Sequence, residues 1–178
     1  MSTAANSAID IVSRALVLIG AEPITSFTEN TTEALVANNM YEDAVRTALS
    51  TARWRFATQQ ATLAQLASDP TGRFDAAHQL PSDLLVLHAV TVNDNLLNYT
   101  VYGDKVFSNA TDTDVVIADY TFRQTETNFP SYFTLAVEYS LASIFATAIA
   151  RSTTLTQLMT TKADQMMAKA RNLDAQQQ

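Results

Sequence analysis

The chain has 178 residues, of which 47% are hydrophobic and 16% are charged, so it is long enough to bury one core and too apolar to be disordered. It contains no cysteine, which excludes a disulfide framework and a thiolate metal site. Eleven basic residues against eighteen acidic ones give a net charge of −7, which disfavours binding to nucleic acid through a basic surface.

Neither a secretory signal nor a membrane span is expected. No basic stretch precedes an apolar run at the start of the sequence, as a cleaved signal would require. The longest apolar segment, residues 133–150, is interrupted by Glu138 and by several hydroxyl side chains. This interruption favours a helix buried inside a protein over one buried in lipid.

Two helices are predicted in the first third of the chain. Apolar residues recur at helical spacing over residues 5–19, and Gly20 follows where a left-handed C-cap is expected. Thr31 or Thr32 can cap a second helix that continues to Ala52. Its apolar face has two adjacent rows: Ala37, Tyr41, Val45 and Leu49, and Met40, Ala44, Ala48 and Ala52. We expect the two helices to pack as an antiparallel hairpin.

The middle third is predicted to form a small antiparallel sheet. Residues 53–56 alternate in polarity and a polar run follows them, so residues 53–63 are predicted to be extended, and residues 68–72 form a turn. Residues 84–92 are continuously apolar, which is typical of a buried strand. A hairpin is predicted around Gly103 and Asp104, from residues 99–102 to 105–107. One face of a last strand is marked by Val116, Ala118, Tyr120 and Phe122.

Two further helices complete the prediction. Pro130 fits the first turn of a third helix, which is apolar almost all round and is therefore expected at the centre of the helices. Residues 151–154 separate it from a fourth helix, with a seam of Leu155, Met159, Met166, Ala170 and Leu173. The predicted fold is a helix-dominated α+β class: a four-helix bundle with a small antiparallel sheet inserted in the middle. We expect one domain over residues 1–178, with helical halves at 4–52 and 129–173 and the β region at 53–125.

No group of residues predicts an enzyme, a metal site or a cofactor. His78 and His88 have no serine, cysteine or second histidine at a spacing that builds a triad or a zinc site. Asp112 and Asp114 faintly suggest calcium, but the loop lacks the required glycine and glutamate. The three glycines cannot form a phosphate-binding loop. The aromatic side chains Tyr41, Trp54 and Phe56 are predicted to belong to the structural core.

Five short segments are nevertheless informative when they are taken in order. They are LIGAEPITSF at 18–27, YEDAVR at 41–46, WRFA at 54–57, LPSD at 80–83 and ARNLDAQ at 170–176. Their order and spacing resemble those of the tail tubular protein A family of short-tailed bacteriophages. The resemblance covers nearly the whole chain.

The resemblance implies a structural virion protein rather than an enzyme. Members of this family form the ring-shaped adaptor, or head-to-tail connector, between the portal and the tail nozzle. The resemblance therefore implies a dodecameric ring of identical subunits at the head–tail junction, assembled in the host bacterial cytoplasm. The implied partners are other copies of the chain, the portal protein and the nozzle or tube protein. Double-stranded DNA would pass through the lumen without specific binding during ejection, and no membrane or cofactor is implied.

The end of the chain is the predicted portal contact. The resemblance implies that the terminal segment reaches the portal, and the candidate contact residues are Lys169, Arg171, Leu173 and Asp174. We expect the glutamine-rich end beyond Leu173 to be disordered in the isolated chain. Two other functions remain open at this point: a tail-associated glycan or cell-wall hydrolase, and a cytoplasmic helical interaction domain.

Overall fold

The computed structural model describes residues 3–68, 70 and 72–177 of the chain. The chain divides into two compact units: a helical unit of Met1–Phe56 and Gln124–Gln178, and a sheet unit of Ala57–Arg123. The described residues form four α-helices and seven strands, and the strands make two antiparallel sheets. The fold is therefore mixed α+β. The prediction of a helix-dominated four-helix bundle with one small sheet is wrong, because the middle region builds two sheets.

The first two helices begin at side-chain caps. Helix α1 (Ala8–Leu18) follows Ser7, whose Oγ accepts a hydrogen bond of 3.1 Å from the Asp10 N–H. Helix α2 (Thr32–Ser50) follows Thr31, whose Oγ1 accepts from the Ala34 N–H at 3.2 Å. Gly20 has a φ of +75° just beyond α1, the left-handed conformation that glycine adopts at low cost. The glycine therefore ends α1 where the sequence predicted.

Helix α3 lies at the centre of the helical unit. Helix α3 (Ser131–Ala148) contacts α1, α2 and α4 (Thr153–Ala175), and α4 begins after the cap Ser152. Several of the α3 side chains are fully buried, namely Phe133, Val137, Leu141 and Phe145. Helices α1 and α2 each contact α3 more extensively than they contact each other. The contact expected between α1 and α2 is therefore present but is the smaller one, and both helices pack mainly against α3.

The sheet unit contains two antiparallel sheets. One has the strand order β1 (Thr58–Thr62), β7 (Val116–Phe122), β3 (Leu84–Val92), β4 (Asn95–Leu96). The other has the order β2 (Ala76–Gln79), β6 (Lys105–Ser108), β5 (Tyr99–Tyr102). Strands β5 and β6 form the predicted hairpin, with Tyr102 opposite Lys105 and Gly103 at a φ of +61° in the turn. Both sheets contribute to one core: Leu63, Leu80, Val90, Val106, Ala110, Val116, Ala118 and Tyr120.

The predicted strands differ from the structure in three places. Residues 55–57 form a short 3-10 helix before β1, so the predicted extended segment begins later than residue 53. Strands β2 and β4 were not predicted at all. Strand β3 has the predicted bounds, but Val90 is its one fully buried side chain and the others are half-buried. Within the described ranges, no helix is long and apolar enough to cross a membrane.

Candidate assembly surface

Both histidines belong to the sheet unit. His78 on β2 is 1% exposed, and burial lowers the pKa of its imidazole. Its Nδ1 has no hydrogen-bond partner among the residues that the structure describes. His88 on β3 places Nε2 at 2.7 Å from the hydroxyl of the fully buried Thr121 on β7. Both histidine side chains therefore pack within the sheet unit.

The acidic side chains of Asp104, Asp112 and Asp114 are engaged in hydrogen bonds or an ion pair within the sheet unit. Asp114 accepts a hydrogen bond of 2.7 Å from the Thr111 N–H, and this bond lowers the pKa of its carboxyl. Asp112 accepts from Gln65 Nε2 at 3.0 Å, and Asp104 pairs with Lys105 at 3.3 Å. Over 3–68, 70 and 72–177, no group of three or more histidine, cysteine or acidic side chains is arranged to hold a metal ion.

Trp54 and Phe56 lie in an aromatic cluster of the helical unit. Trp54 is completely buried, and its Nε1 donates a hydrogen bond of 2.9 Å to the Ala48 carbonyl. Its ring centroid lies 5.1 Å from that of Phe133, in an edge-to-face arrangement, and 5.8 Å from that of Phe56. Phe56 in turn lies 4.9 Å from Phe133 and 6.1 Å from Phe129. The cluster joins the chain after α2 to the start of α3.

Tyr41 makes a second internal connection in the same unit. It is 5% exposed, and its ring centroid lies 5.8 Å from that of Phe27. Its hydroxyl donates to Glu126 Oε1 at 3.0 Å. Tyr41, Trp54 and Phe56 are thus packed against residues of their own unit and belong to its core.

The four candidate portal residues on α4 fall into two groups. Lys169 and Arg171 are exposed, and Leu173 is half-buried. Asp174 is only 4% exposed and accepts two hydrogen bonds, from the Arg55 N–H at 2.9 Å and from the Tyr132 hydroxyl at 2.8 Å. Both of its oxygens therefore accept hydrogen bonds within the chain.

The same hydrogen bonds show that the end of α4 is fixed. Helix α4 continues to Ala175, two residues beyond the predicted end of its seam at Leu173. Burial and the bond to Asp174 raise the pKa of the Tyr132 hydroxyl to about 12, so this hydroxyl stays a donor at neutral pH. The expectation that the chain is disordered directly after Leu173 is wrong, because Asp174 connects α4 to the residue that follows Trp54.

An exposed apolar groove lies between α2 and α3. Its most exposed side chains are Leu35, at 62%, and Met40, at 36%. The groove has a volume of about 560 Å³ and is lined by Leu35, Val36, Asn39, Met40, Ile144, Thr147 and Ala148. An adjoining depression of about 420 Å³ shares Met40 and Ile144 with it and extends to Ala163 and Met167 on α4. We call the two together the α2–α3 groove.

The α2–α3 groove was missed in the sequence because α2 is apolar on more than one side. The row of Ala37, Tyr41 and Val45 is buried as predicted, whereas Met40 in the second row is exposed. Leu35 lies outside both predicted rows, and an apolar residue off the core face is the signal that could have revealed the groove. Exposed apolar side chains such as Leu35 and Met40 are available for contact with another protein.

The negative charge is concentrated in the sheet unit. Residues 57–123 contain eight acidic residues against three basic ones, so this unit carries −5 of the net −7. The helical unit contains ten acidic and eight basic residues and is therefore nearly neutral. A surface dominated by one sign of charge repels polymers of the same sign, and duplex DNA is such a polymer.

No protein-family model matches the chain, and no curated protein matches it. The functional interpretation therefore depends on the residues and surfaces of the chain itself.

Proposed function

We propose that the chain is a subunit of a ring-shaped adaptor that joins the portal of a bacteriophage head to its tail. The observation that carries the proposal is the ordered series of five segments between residues 18 and 176. In this reading the protein is a structural component of the virion and not an enzyme. Its partners are other copies of the chain, the portal protein, and the nozzle or tube protein of the tail.

The position of the five segments in the fold supports the proposal. Ile24 in the first is 4% exposed, and its carbonyl accepts a hydrogen bond of 2.8 Å from the Ser13 hydroxyl. The second and third supply Tyr41, Trp54 and Phe56 to the helical unit. The fourth directly precedes β3, and the fifth carries Asp174. Four of the five segments thus lie at the end of a helix or just before a strand, and the second lies inside α2 and contributes the buried Tyr41; a shared architecture would preserve such positions.

The α2–α3 groove is the surface that we assign to contact between subunits. A ring requires a heterologous contact, in which one face of each copy binds a different face of the next. The exposed Leu35 and Met40 supply apolar area to such a contact, and Asp43 and Asp164 lie at its edge. Burying a fully exposed leucine side chain is worth about 1.5 to 3 kcal/mol.

The assembly test uses the protein mixed with its own portal protein. Wild-type chain should give a higher-order species by light scattering and rings by electron microscopy, because portal contact can act as the template for closure. Leu35→Asp with Met40→Asp should abolish the rings. Leu158→Asp on α4 is the matched control, since Leu158 is 50% exposed but lies outside the groove. Failure of the wild-type chain to form any higher-order species would refute the proposal.

The portal contact is assigned to the exposed cations at the end of α4. Lys169 and Arg171 are exposed on the last turns of α4, where a helix also favours positive charge. Lys169→Glu with Arg171→Glu should weaken co-sedimentation with the portal while leaving the melting temperature nearly unchanged. Lys162→Glu, an exposed cation nearer the start of the same helix, is the control. Equal portal binding by all three proteins would contradict this assignment.

A further inference from the structure

Glu138 on α3 is a buried acid whose Oε1 has no hydrogen-bond partner among the residues that the structure describes. Its side chain is 5% exposed, and its Oε1 accepts no hydrogen bond from the described residues. Leaving a buried acceptor unsatisfied costs about 1 to 3 kcal/mol, and more when the group is charged. Native proteins place such groups where a ligand, a water molecule or a partner supplies the missing donor. This oxygen therefore marks a position where a donor beyond the described residues is favoured.

Glu138 lines a pocket that opens to the surface. The pocket has a volume of about 220 Å³ and is lined by Ala4, Ala5, Arg14, Phe129, Ser131, Thr134, Leu135 and Glu138. Its walls combine the apolar side chains of Phe129 and Leu135 with the hydroxyls of Ser131 and Thr134. This is room for one long side chain with an apolar stem and a polar head. We call it the Glu138 pocket.

Arg14 is the one charged neighbour of Glu138 among the described lining residues. Its guanidinium donates to the Thr3 carbonyl, and within the described ranges no ion pair joins it to Glu138. Arg14 favours the ionised carboxylate, whereas burial disfavours it, and burial dominates: the pKa of Glu138 is raised to about 7. The carboxylate thus has a nearby positive charge, but none of the described residues donates a hydrogen bond to its Oε1.

We propose that the Glu138 pocket binds a lysine or arginine side chain of another protein molecule, with its cationic head on the Glu138 carboxylate and its stem along Phe129 and Leu135. A cation supplies the two things that the buried carboxylate lacks: a hydrogen-bond donor and a compensating charge. The site is distinct from the α2–α3 groove and does not depend on the proposed ring. The cation can come from a second copy of this chain or from a different protein.

The test uses ethylguanidinium chloride and n-butylammonium chloride as probes of the full chain. The carbon-13 signal of the Glu138 carboxyl, assigned with Glu138→Gln, is followed against pH. Each probe should lower the apparent pKa of Glu138 by about half a unit or more, because a bound cation favours the ionised form. Ethylurea and sodium chloride, which match the probe in shape and in ionic strength, should leave it unchanged. Equal titration with and without the cationic probes would overturn the proposal.

Variants separate the charge of the pocket from its shape. Glu138→Gln should bind the probes about tenfold more weakly at pH 8, as measured by the shifts of the backbone amide signals around the pocket, since an amide replaces the charge-assisted bond by a neutral one. Glu22→Gln removes one exposed carboxylate elsewhere and should bind as the wild type does. Arg14→Gln should bind more tightly, because a like charge is removed. Equal affinity of Glu138→Gln and wild type would show that the carboxylate is not the recognition group, and the proposal would fail.

Dilution of the wild-type chain without any probe distinguishes the two sources of the cation. A Glu138 signal that changes with protein concentration identifies a second copy as the occupant. A signal that is constant on dilution, but that moves with the probes, identifies a different protein. A signal that responds to neither shows that water satisfies the pocket, and it excludes the proposed cation.

Discussion

Trp54 connects α2 to α3 through one ring, and its removal should be costly. Trp54→Ala should lower the free energy of unfolding by about 3 to 5 kcal/mol, because the side chain is completely buried against Phe133 and Phe56. Urea denaturation measures the loss. Trp54→Phe should cost less, since the Ala48 carbonyl keeps the bond from the Thr51 hydroxyl. Fluorescence of the native chain should be blue-shifted, and emission typical of exposed tryptophan would contradict the burial.

Glu138 should make the stability of the protein depend on pH in a definite direction. The pKa of this acid rises from 4.5 to about 7 on folding, so the folded state holds the proton more tightly and loses stability as pH rises through this range. Glu138→Gln cannot ionise. Its stability relative to wild type should therefore increase by about 3 kcal/mol between pH 4 and pH 8.

Urea denaturation of both proteins at the two pH values measures this change. Other titrating groups cancel in the comparison: His78, whose pKa burial lowers, and Asp10 and Glu29, whose pKa values hydrogen bonds lower, are present in both chains. A difference between the two proteins that is the same at pH 4 and pH 8 would mean that Glu138 is not buried as an acid.

At the level of elements, the last turn of α4 is held by Asp174 and not by the residues after it. A chain shortened to end at Asp174 should melt at nearly the wild-type temperature, because residues 175–177 are exposed. Asp174→Ala should lower the free energy of unfolding by about 1 to 3 kcal/mol, because it leaves the Tyr132 hydroxyl and the Arg55 N–H without their acceptor. Thermal and urea denaturation measure both effects.

Asp164→Ala is the matched control for this prediction, since Asp164 is an exposed acid on the same helix. A loss of stability as large in Asp164→Ala as in Asp174→Ala would assign the effect to the charge of α4. The two hydrogen bonds of Asp174 would then have no special part in it.

The elements that could be predicted from the sequence are those with a periodic apolar pattern or a strong turn residue. Helix α3 is apolar on all sides, and Gly103 marks the β5–β6 hairpin, so both were found. Strand β1 reads TQQAT and β2 reads AAHQ, which are too polar and too short to stand out from loops. Their places are set by pairing with β7 and β6, and such long-range contacts leave no local signal.

The α2–α3 groove and the Glu138 pocket could not be predicted for the same reason: they depend on contacts between residues that are distant in the chain. Burial of Tyr41 and Trp54 follows from their size and position, which a sequence shows. The exposure of Met40 depends on which side of α2 meets α3, and the isolation of the Glu138 carboxylate depends on where Arg14 is directed. Both are outcomes of packing between elements that are distant in the chain. Neither can be deduced from the spacing of residues within one helix.

At the scale of the whole molecule, the uneven charge predicts weak binding to DNA. The assembled protein should bind duplex DNA more weakly than the roughly 10⁻⁴ to 10⁻⁶ M typical of non-specific binding proteins. The physical reason is that the sheet unit carries most of the net charge of −7 and repels phosphates. Fluorescence anisotropy with labelled duplex at several salt concentrations measures the affinity.

Charge-reversal variants of the two units test which unit is responsible for the weak binding to DNA. Asp75→Lys with Asp112→Lys, two exposed acids of the sheet unit, should strengthen binding and make it more sensitive to salt. Glu22→Lys with Glu33→Lys makes the same change of charge in the helical unit and should have the smaller effect. Tight binding by the wild-type chain with a steep salt dependence would show that DNA meets a basic surface.

The division of the helical unit into two chain segments also determines how long its apolar helix faces stay exposed during synthesis. Residues leave the ribosome in order, so α1 and α2 emerge before α3, the helix against which both pack. Ile11, Leu16, Val45 and Leu49 are fully buried only once the unit has folded. The ribosome must first translate the whole of residues 57–123, which takes roughly 3 to 13 seconds at bacterial and eukaryotic elongation rates. During that interval the sheet unit is delivered as one continuous stretch, while the apolar faces of the first two helices remain open to chaperones and to other nascent chains.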